Sequence, residues 1–85
     1  MEQSSLKQSL LEILRVEPDT EYLDLSDQNI TSIEKDLEPF LSQFKFLKEL
    51  NLEDNSLKSL PLNLSDILPK MEIINLNGND FDDFN

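Results

Sequence analysis

At 85 residues, with 38% hydrophobic and 29% charged side chains, the chain has room for one domain with a modest core and not for two. It contains neither cysteine nor histidine, which removes disulfides, thiolate nucleophiles, the commonest general base and the commonest metal ligand. Eighteen acidic against seven basic residues leave a formal net charge of −11, a surface that repels nucleic-acid phosphates and anionic lipid heads and attracts basic proteins.

The first expected element is a helix. Leu6, Leu10, Ile13 and Leu14 recur at i, i+4, i+7 and i+8, the apolar stripe of an amphipathic helix. Ser5 with Gln8 fits a capping box at its start, and Pro18 stops it. The polar residues interspersed here do not give the charged-then-apolar layout of a secretory signal, and no apolar run approaches the length of a membrane span. An intracellular location, cytoplasmic or nuclear, is therefore expected, with no membrane partner.

After the proline the period changes to 2. "YLDLS" (22–26), "ELNLE" (49–53) and "IINLN" (73–77) each put two apolar residues on one side of a short strand, and the strands start 27 and then 24 residues apart. Between the first two, Leu37, Phe40, Leu41, Phe44 and Leu47 form a stripe with Pro39 placed for a first turn, which predicts a helix of about two turns. Phe46 lies off that stripe; its expected place is folded back on the core, the alternative being an exposed aromatic anchor. The second connection, "PLNLSDILPKM", is shorter and bracketed by Pro61 and Pro69, so one helical turn or a 3₁₀ segment is expected.

The strands, each with the turn after it, are copies of one unit. Leu23, Leu25, Ile30 and Ile33 align with Leu50, Leu52, Leu57 and Leu60, and with Ile74, Leu76, Phe81 and Phe84; Leu47 and Met71 extend the second and third sets, and Asn55 and Asn79 occupy the same slot after the strand. This L-x-x-L-x-L-x-x-N-x-L spacing resembles the leucine-rich repeat family. Repeat length and helix-like outer segments look most like the intracellular subclass with phosphatase-regulatory, spliceosomal and acidic nuclear phosphoprotein members.

The resemblance implies an α/β fold: a right-handed leucine-rich repeat solenoid, with a concave sheet of short parallel strands, convex helical or 3₁₀ segments and an N-terminal capping helix. The division it suggests is cap and linker at 1–19, repeat one at 20–46, repeat two at 47–70 and an incomplete repeat three at 71–85. It also implies that the slot residues Gln28, Asn55 and Asn79 form a structural ladder, each amide turned inward to bond the backbone of a bend. A buried turn lacking such a partner would leave polar groups unmade, at roughly 1–3 kcal/mol each. The first repeat departs from the pattern, with Gln28 in the slot and Asn29 one residue later.

Strand alternation turns the residues between the leucines toward the other face. With neighbouring strands about 4.8 Å apart, they form columns: Tyr22, Glu49, Ile73; Asp24, Asn51, Asn75; Ser26, Glu53, Asn77; and Asp27, Asp54, Gly78. Exposed carboxylates such as Asp27 and Asp54 at that separation repel by up to about 1 kcal/mol, which a lysine, arginine or divalent cation would relieve. Solvated acidic strands with no partner are the bland alternative.

These features favour a non-catalytic protein-binding module whose acidic concave face takes a basic segment, with no cofactor. The alternative is a purely structural N-terminal portion of a longer solenoid whose binding site lies downstream. An enzyme is not expected, because nothing encloses the paired carboxylates in an apolar pocket and Ser26 has no histidine to activate it. The oxygen-rich "NLNGNDFDDFN" invites a calcium reading, but Gly78 at loop position six would put Ile73 where an EF-hand needs an oxygen ligand, and the glycine pattern of the nonapeptide roll is missing. The scattered basic residues argue against direct nucleic-acid binding. Ile74, Leu76, Phe81 and Phe84, with no helix or cap after them, suggest an open end that either self-associates end to end or frays.

Overall fold

A computed structural model describes residues 4–33, 37–61 and 63–81, with side chains from Leu6 onward. The capping role expected of Ser5 and the apolar contact expected of Phe84 lie outside the described residues and side chains. The chain runs α1 (Ser4–Val16), β1 (Tyr22–Asp24), α2 (Glu38–Leu41), β2 (Glu49–Asn51), α3 (Leu64–Ile67) and β3 (Ile73–Asn75). It is a mixed α/β arrangement around one three-stranded parallel sheet in the order β1-β2-β3.

Parallel neighbours require a crossover connection of a dozen or more residues. The two connections supply it, each with one helical turn. The pairing aligns Leu23 with Leu50 and Leu50 with Ile74, so the internal alignment of the sequence is also the register of the sheet. Backbone pairing runs past the strand ends: the N–H groups of Leu25 and Asp27 donate to the carbonyls of Asn51 and Glu53 at 2.8 and 2.9 Å, and those of Leu52 and Asp54 to Asn75 and Asn77 at 2.9 Å. On the edge strand β1, Thr20 Oγ1 donates to the Tyr22 carbonyl at 2.8 Å and accepts from the Tyr22 N–H at 3.3 Å. One hydroxyl thus occupies edge groups that would otherwise invite another strand.

Leu23, Leu25, Leu50 and Leu52 project from the sheet into a single core with Ile30 and Leu57 from the turns, Leu37, Leu41, Phe44 and Leu47 around α2, and Ile67 and Leu68 at α3. α1 packs against α2 and contributes the fully buried Leu10, flanked by the partly buried Leu6, Ile13 and Leu14. In the third layer Ile74, Leu76 and Phe81 are only half-buried. Burial of the equivalent side chains therefore falls from the second strand to the third.

Two expected elements differ. The helix predicted over two turns is the single turn Glu38–Leu41, with Pro39 in its first turn as expected. Its extension fails at the Pro39 carbonyl, which accepts from Ser42 Oγ at 3.2 Å and from Gln43 Nε2 at 3.0 Å. The Gln43 N–H, whose helical partner that carbonyl would be, donates to Phe40 instead, and the Phe44 N–H to Leu41, both i→i−3 contacts. Side chains that bond nearby backbone compete with helix in this way. The second difference is Phe46. Phe44 and Leu47 take the buried places on either side of it, and Phe46 stays 46% exposed with the Lys70 ammonium 5.4 Å from its ring centre. The shorter connection carries the one turn expected, Leu64–Ile67.

Candidate functional site

Each strand ends through the side chain at its third position. Asp24 Oδ1 accepts from the Ser26 N–H at 3.0 Å, Asn51 Oδ1 from the Glu53 N–H at 3.0 Å, and Asn75 Oδ1 from the Asn77 N–H at 3.1 Å. These are Asx turns, which bend the chain by imitating a backbone hydrogen bond. The Asp24, Asn51, Asn75 column is thus partly consumed by local structure, each oxygen already holding an N–H. Asp24 also accepts from the Ser26 hydroxyl at 2.7 Å. That hydroxyl, and after it the Ser26 N–H, hold the Asp24 carboxyl below the usual carboxylate range.

The column Asp27, Asp54, Gly78, expected on the outward face of the strands, lies beyond the strand ends in the turns. All three residues have left-handed backbones, with φ of 55°, 59° and 76°. Asp tolerates that region better than most residues and glycine enters it freely. Gly78 has a second constraint: a β-carbon there would collide with the Asp54 carboxylate and lie 3.1 Å from the Asp54 nitrogen. The acid pair and the lone glycine of the chain are explained by turn geometry, with no ligand required.

The slot asparagines bond backward along the chain. Asn55, only 6% exposed, accepts at Oδ1 from the N–H groups of Gln28 (2.9 Å) and Ile30 (3.0 Å) and donates through Nδ2 to the carbonyls of Leu25 (2.9 Å) and Leu52 (3.0 Å). Asn79 repeats this one layer on, accepting from Leu57 at 2.9 Å and donating to Leu52 at 2.8 Å and Leu76 at 3.0 Å. Each asparagine therefore serves the bend of the layer before it as well as its own strand. Gln28 is exposed and only its backbone takes part, so it is not a rung of this ladder. With no bend preceding it among the repeats, the first layer has no use for an amide there.

The open part of the sheet face is narrower than the full set of outward positions. Tyr22, Glu49 and Ile73 stand side by side in register. Tyr22 and Ile73 are 46% and 53% exposed, and Glu49 between them is half-buried. Asn51 Nδ2 donates to the Tyr22 phenol oxygen at 3.3 Å, which ties the ring diagonally to the next strand. Ser26 and Glu53 are half-buried and Asn77 is exposed at the turn end of the same face. The outward residues of the strands and of the turns that follow them include Asp24, Glu49 and Glu53 and no lysine or arginine; Glu53, expected on the strand, lies in the turn after β2.

Several contacts have no counterpart in the sequence pattern. The pairing of Phe46 with Lys70, and of Phe40 with Lys7 at 5.9 Å, joins residues from different layers, for which one-dimensional spacing carries no signal. The Asx turns did leave a signal, since an Asp or Asn stands two residues before the turn in all three repeats.

Among the described residues no helix is long and apolar enough to cross a membrane, and no group of three or more acidic side chains is arranged to hold a metal ion. The chain matches no protein-family model and no curated protein sequence.

Proposed function

We propose that this chain is a leucine-rich-repeat module whose concave sheet binds a protein partner through a basic segment, without catalysis. The solenoid part of the reading is supported by the in-register strands and by the matching donations of Asn55 and Asn79, each to a carbonyl of its own layer and one of the layer before. In a solenoid each layer buries its apolar side against its neighbours and leaves the opposite side of the strands available.

The functional part rests on one observation: the outward residues of the strands and of the turns that follow them present Asp24, Glu49 and Glu53 with no basic side chain among them. Complementary charge speeds association and selects partners more than it adds raw affinity. The test is titration with a lysine-rich peptide across a salt series, comparing Glu53→Lys with Glu12→Lys, the latter on α1 and paired in the parent with Arg15 at 2.9 Å. Binding that weakens with salt and is lost mainly in Glu53→Lys is expected. Equal losses in both variants would mean that net charge alone attracts the peptide and that the sheet is not the site.

A further inference from the structure

Within that reading, on which this inference rests, the geometry points to Tyr22, Glu49 and Ile73 as a subsite for one arginine followed two residues later by an apolar side chain. The Glu49 carboxylate makes no ion pair or hydrogen bond among the described residues, and the residue lies half-buried between Tyr22 and Ile73, the two most exposed large side chains of the sheet. Lys48, its chain neighbour, approaches Glu21 instead, at 3.9 Å. A carboxylate on a half-buried residue, paired with no cation among the described residues, is suited to a cation from outside.

The choice of arginine follows from the neighbours. A guanidinium is planar: it stacks on an aromatic face while its edge donates to a carboxylate, whereas an ammonium is a compact and strongly hydrated charge. Tyr22 offers the face, steadied by the hydrogen bond from Asn51 to its phenol oxygen, and Glu49 on the adjoining strand offers the carboxylate.

The spacing follows from the strands. A guanidinium midway between Tyr22 and Glu49 is one and a half strand separations from Ile73, about 7 Å. An extended peptide advances about 3.3–3.6 Å per residue and returns side chains to the same face every second residue. The residue two positions after the arginine therefore reaches Ile73, where an apolar side chain covers exposed methyls.

The chain itself supplies the readout. Tyr22 is its one tyrosine and it has no tryptophan, so tyrosine emission reports on this position alone. The probe is acetyl-Arg-Ser-Leu-amide, with the glutamine-for-arginine and serine-for-leucine analogues as controls and oligolysine as a general basic probe, followed by tyrosine emission and by amide chemical shifts. The expected result is a saturable change at Tyr22 with the arginine probe. Affinity should be weaker by about five- to tenfold, around 1–1.4 kcal/mol, for the glutamine analogue and for Glu49→Gln, and be unchanged in Glu12→Gln on α1. Ile73→Ser should erase the difference between the leucine and serine probes. Thermal melts of each variant establish that it is folded. No saturable response at Tyr22, or an equal response in Glu49→Gln, would overturn the subsite. If oligolysine still shifts the amides of Asp24 and Glu53 in that case, the wider proposal of a basic-segment site stands without the subsite; if it shifts nothing, both fall.

Discussion

Replacing Asn55 by alanine removes a side chain with no exposed role and five backbone contacts. Its Oδ1 holds the N–H groups of Gln28 and Ile30, and its Nδ2 serves the carbonyls of Leu25 and Leu52 with a longer contact to Glu53 at 3.3 Å. The consequences differ by site. Gln28 is exposed and Glu53 half-buried, so water can reach their freed groups, and the Leu52 carbonyl keeps the amide of Asn79 at 2.8 Å. The Ile30 N–H and the Leu25 carbonyl belong to buried residues and lose the partner the asparagine gave them. Two buried groups left unmade cost roughly 1–3 kcal/mol each, or about 2–6 kcal/mol together. A domain of this size has only about 5–15 kcal/mol in all. A melting temperature lower by at least about 8 °C is expected, at about 4 °C or more per kcal/mol for a chain of this length.

Asn55→Asp separates the two halves of the interaction. It keeps the acceptor and loses the donor, placing a carboxylate against the Leu25 and Leu52 carbonyl oxygens. That environment raises the folded-state pKa of the introduced carboxyl above its unfolded value. The folded form then binds the extra proton in the window between the two values, so stability relative to the parent rises as pH falls through that window and declines again as pH rises. Urea unfolding followed by circular dichroism at several pH values measures both effects. An alanine variant that melts within about 2 °C of the parent, or an aspartate variant whose deficit is the same at every pH, would refute the role assigned to the amide.

Three further outcomes are expected. Gly78→Ala should destabilise by at least about 1–2 kcal/mol from the left-handed backbone alone, and Asp54→Gly, which removes the carboxylate and keeps a residue suited to the left-handed backbone there, should rescue it only in part, because the backbone of residue 54 stays 3.1–3.2 Å from the added carbon; full rescue in thermal melts of the double variant would show that the carboxylate was the whole obstacle. Ser26→Ala should raise the Asp24 carboxyl toward the ordinary carboxylate value without reaching it, since the backbone hydrogen bond remains. In the parent, the stability Asp24 contributes is fully present above its unfolded pKa and lost as pH falls through the lower folded value; NMR titration of the carboxyl carbon in both proteins checks this, and identical curves would remove the hydroxyl as the cause. Leu10→Ala, at a fully buried position, should cost about 2–5 kcal/mol in urea unfolding, and a variant as stable as the parent would mean that α1 is not integral to the core.

Apolar periodicity alone determined where the chain is helical and where it is extended. Leu6, Leu10, Ile13 and Leu14 could share a side only on a helix, and Leu23 with Leu25, Leu50 with Leu52 and Ile74 with Leu76 only on strands. Because those pairs recur in phase, the face each strand buries was legible as well, since one residue of slippage would carry every leucine from the core to the solvent, while the parallel direction was implied by the resemblance to leucine-rich repeats. Periodicity cannot express competition for a particular hydrogen bond. The Pro39 carbonyl was taken by Ser42 and Gln43, shortening α2, and the carboxamides of Asn51 and Asn75 were claimed by their own turns. These contests are settled by distances of a few tenths of an ångström. Nor could linear spacing pair Phe46 with Lys70, or show that Glu49 lies half-buried between the exposed Tyr22 and Ile73. Such juxtapositions join separate layers, and they exist only once the core has packed and brought those layers together.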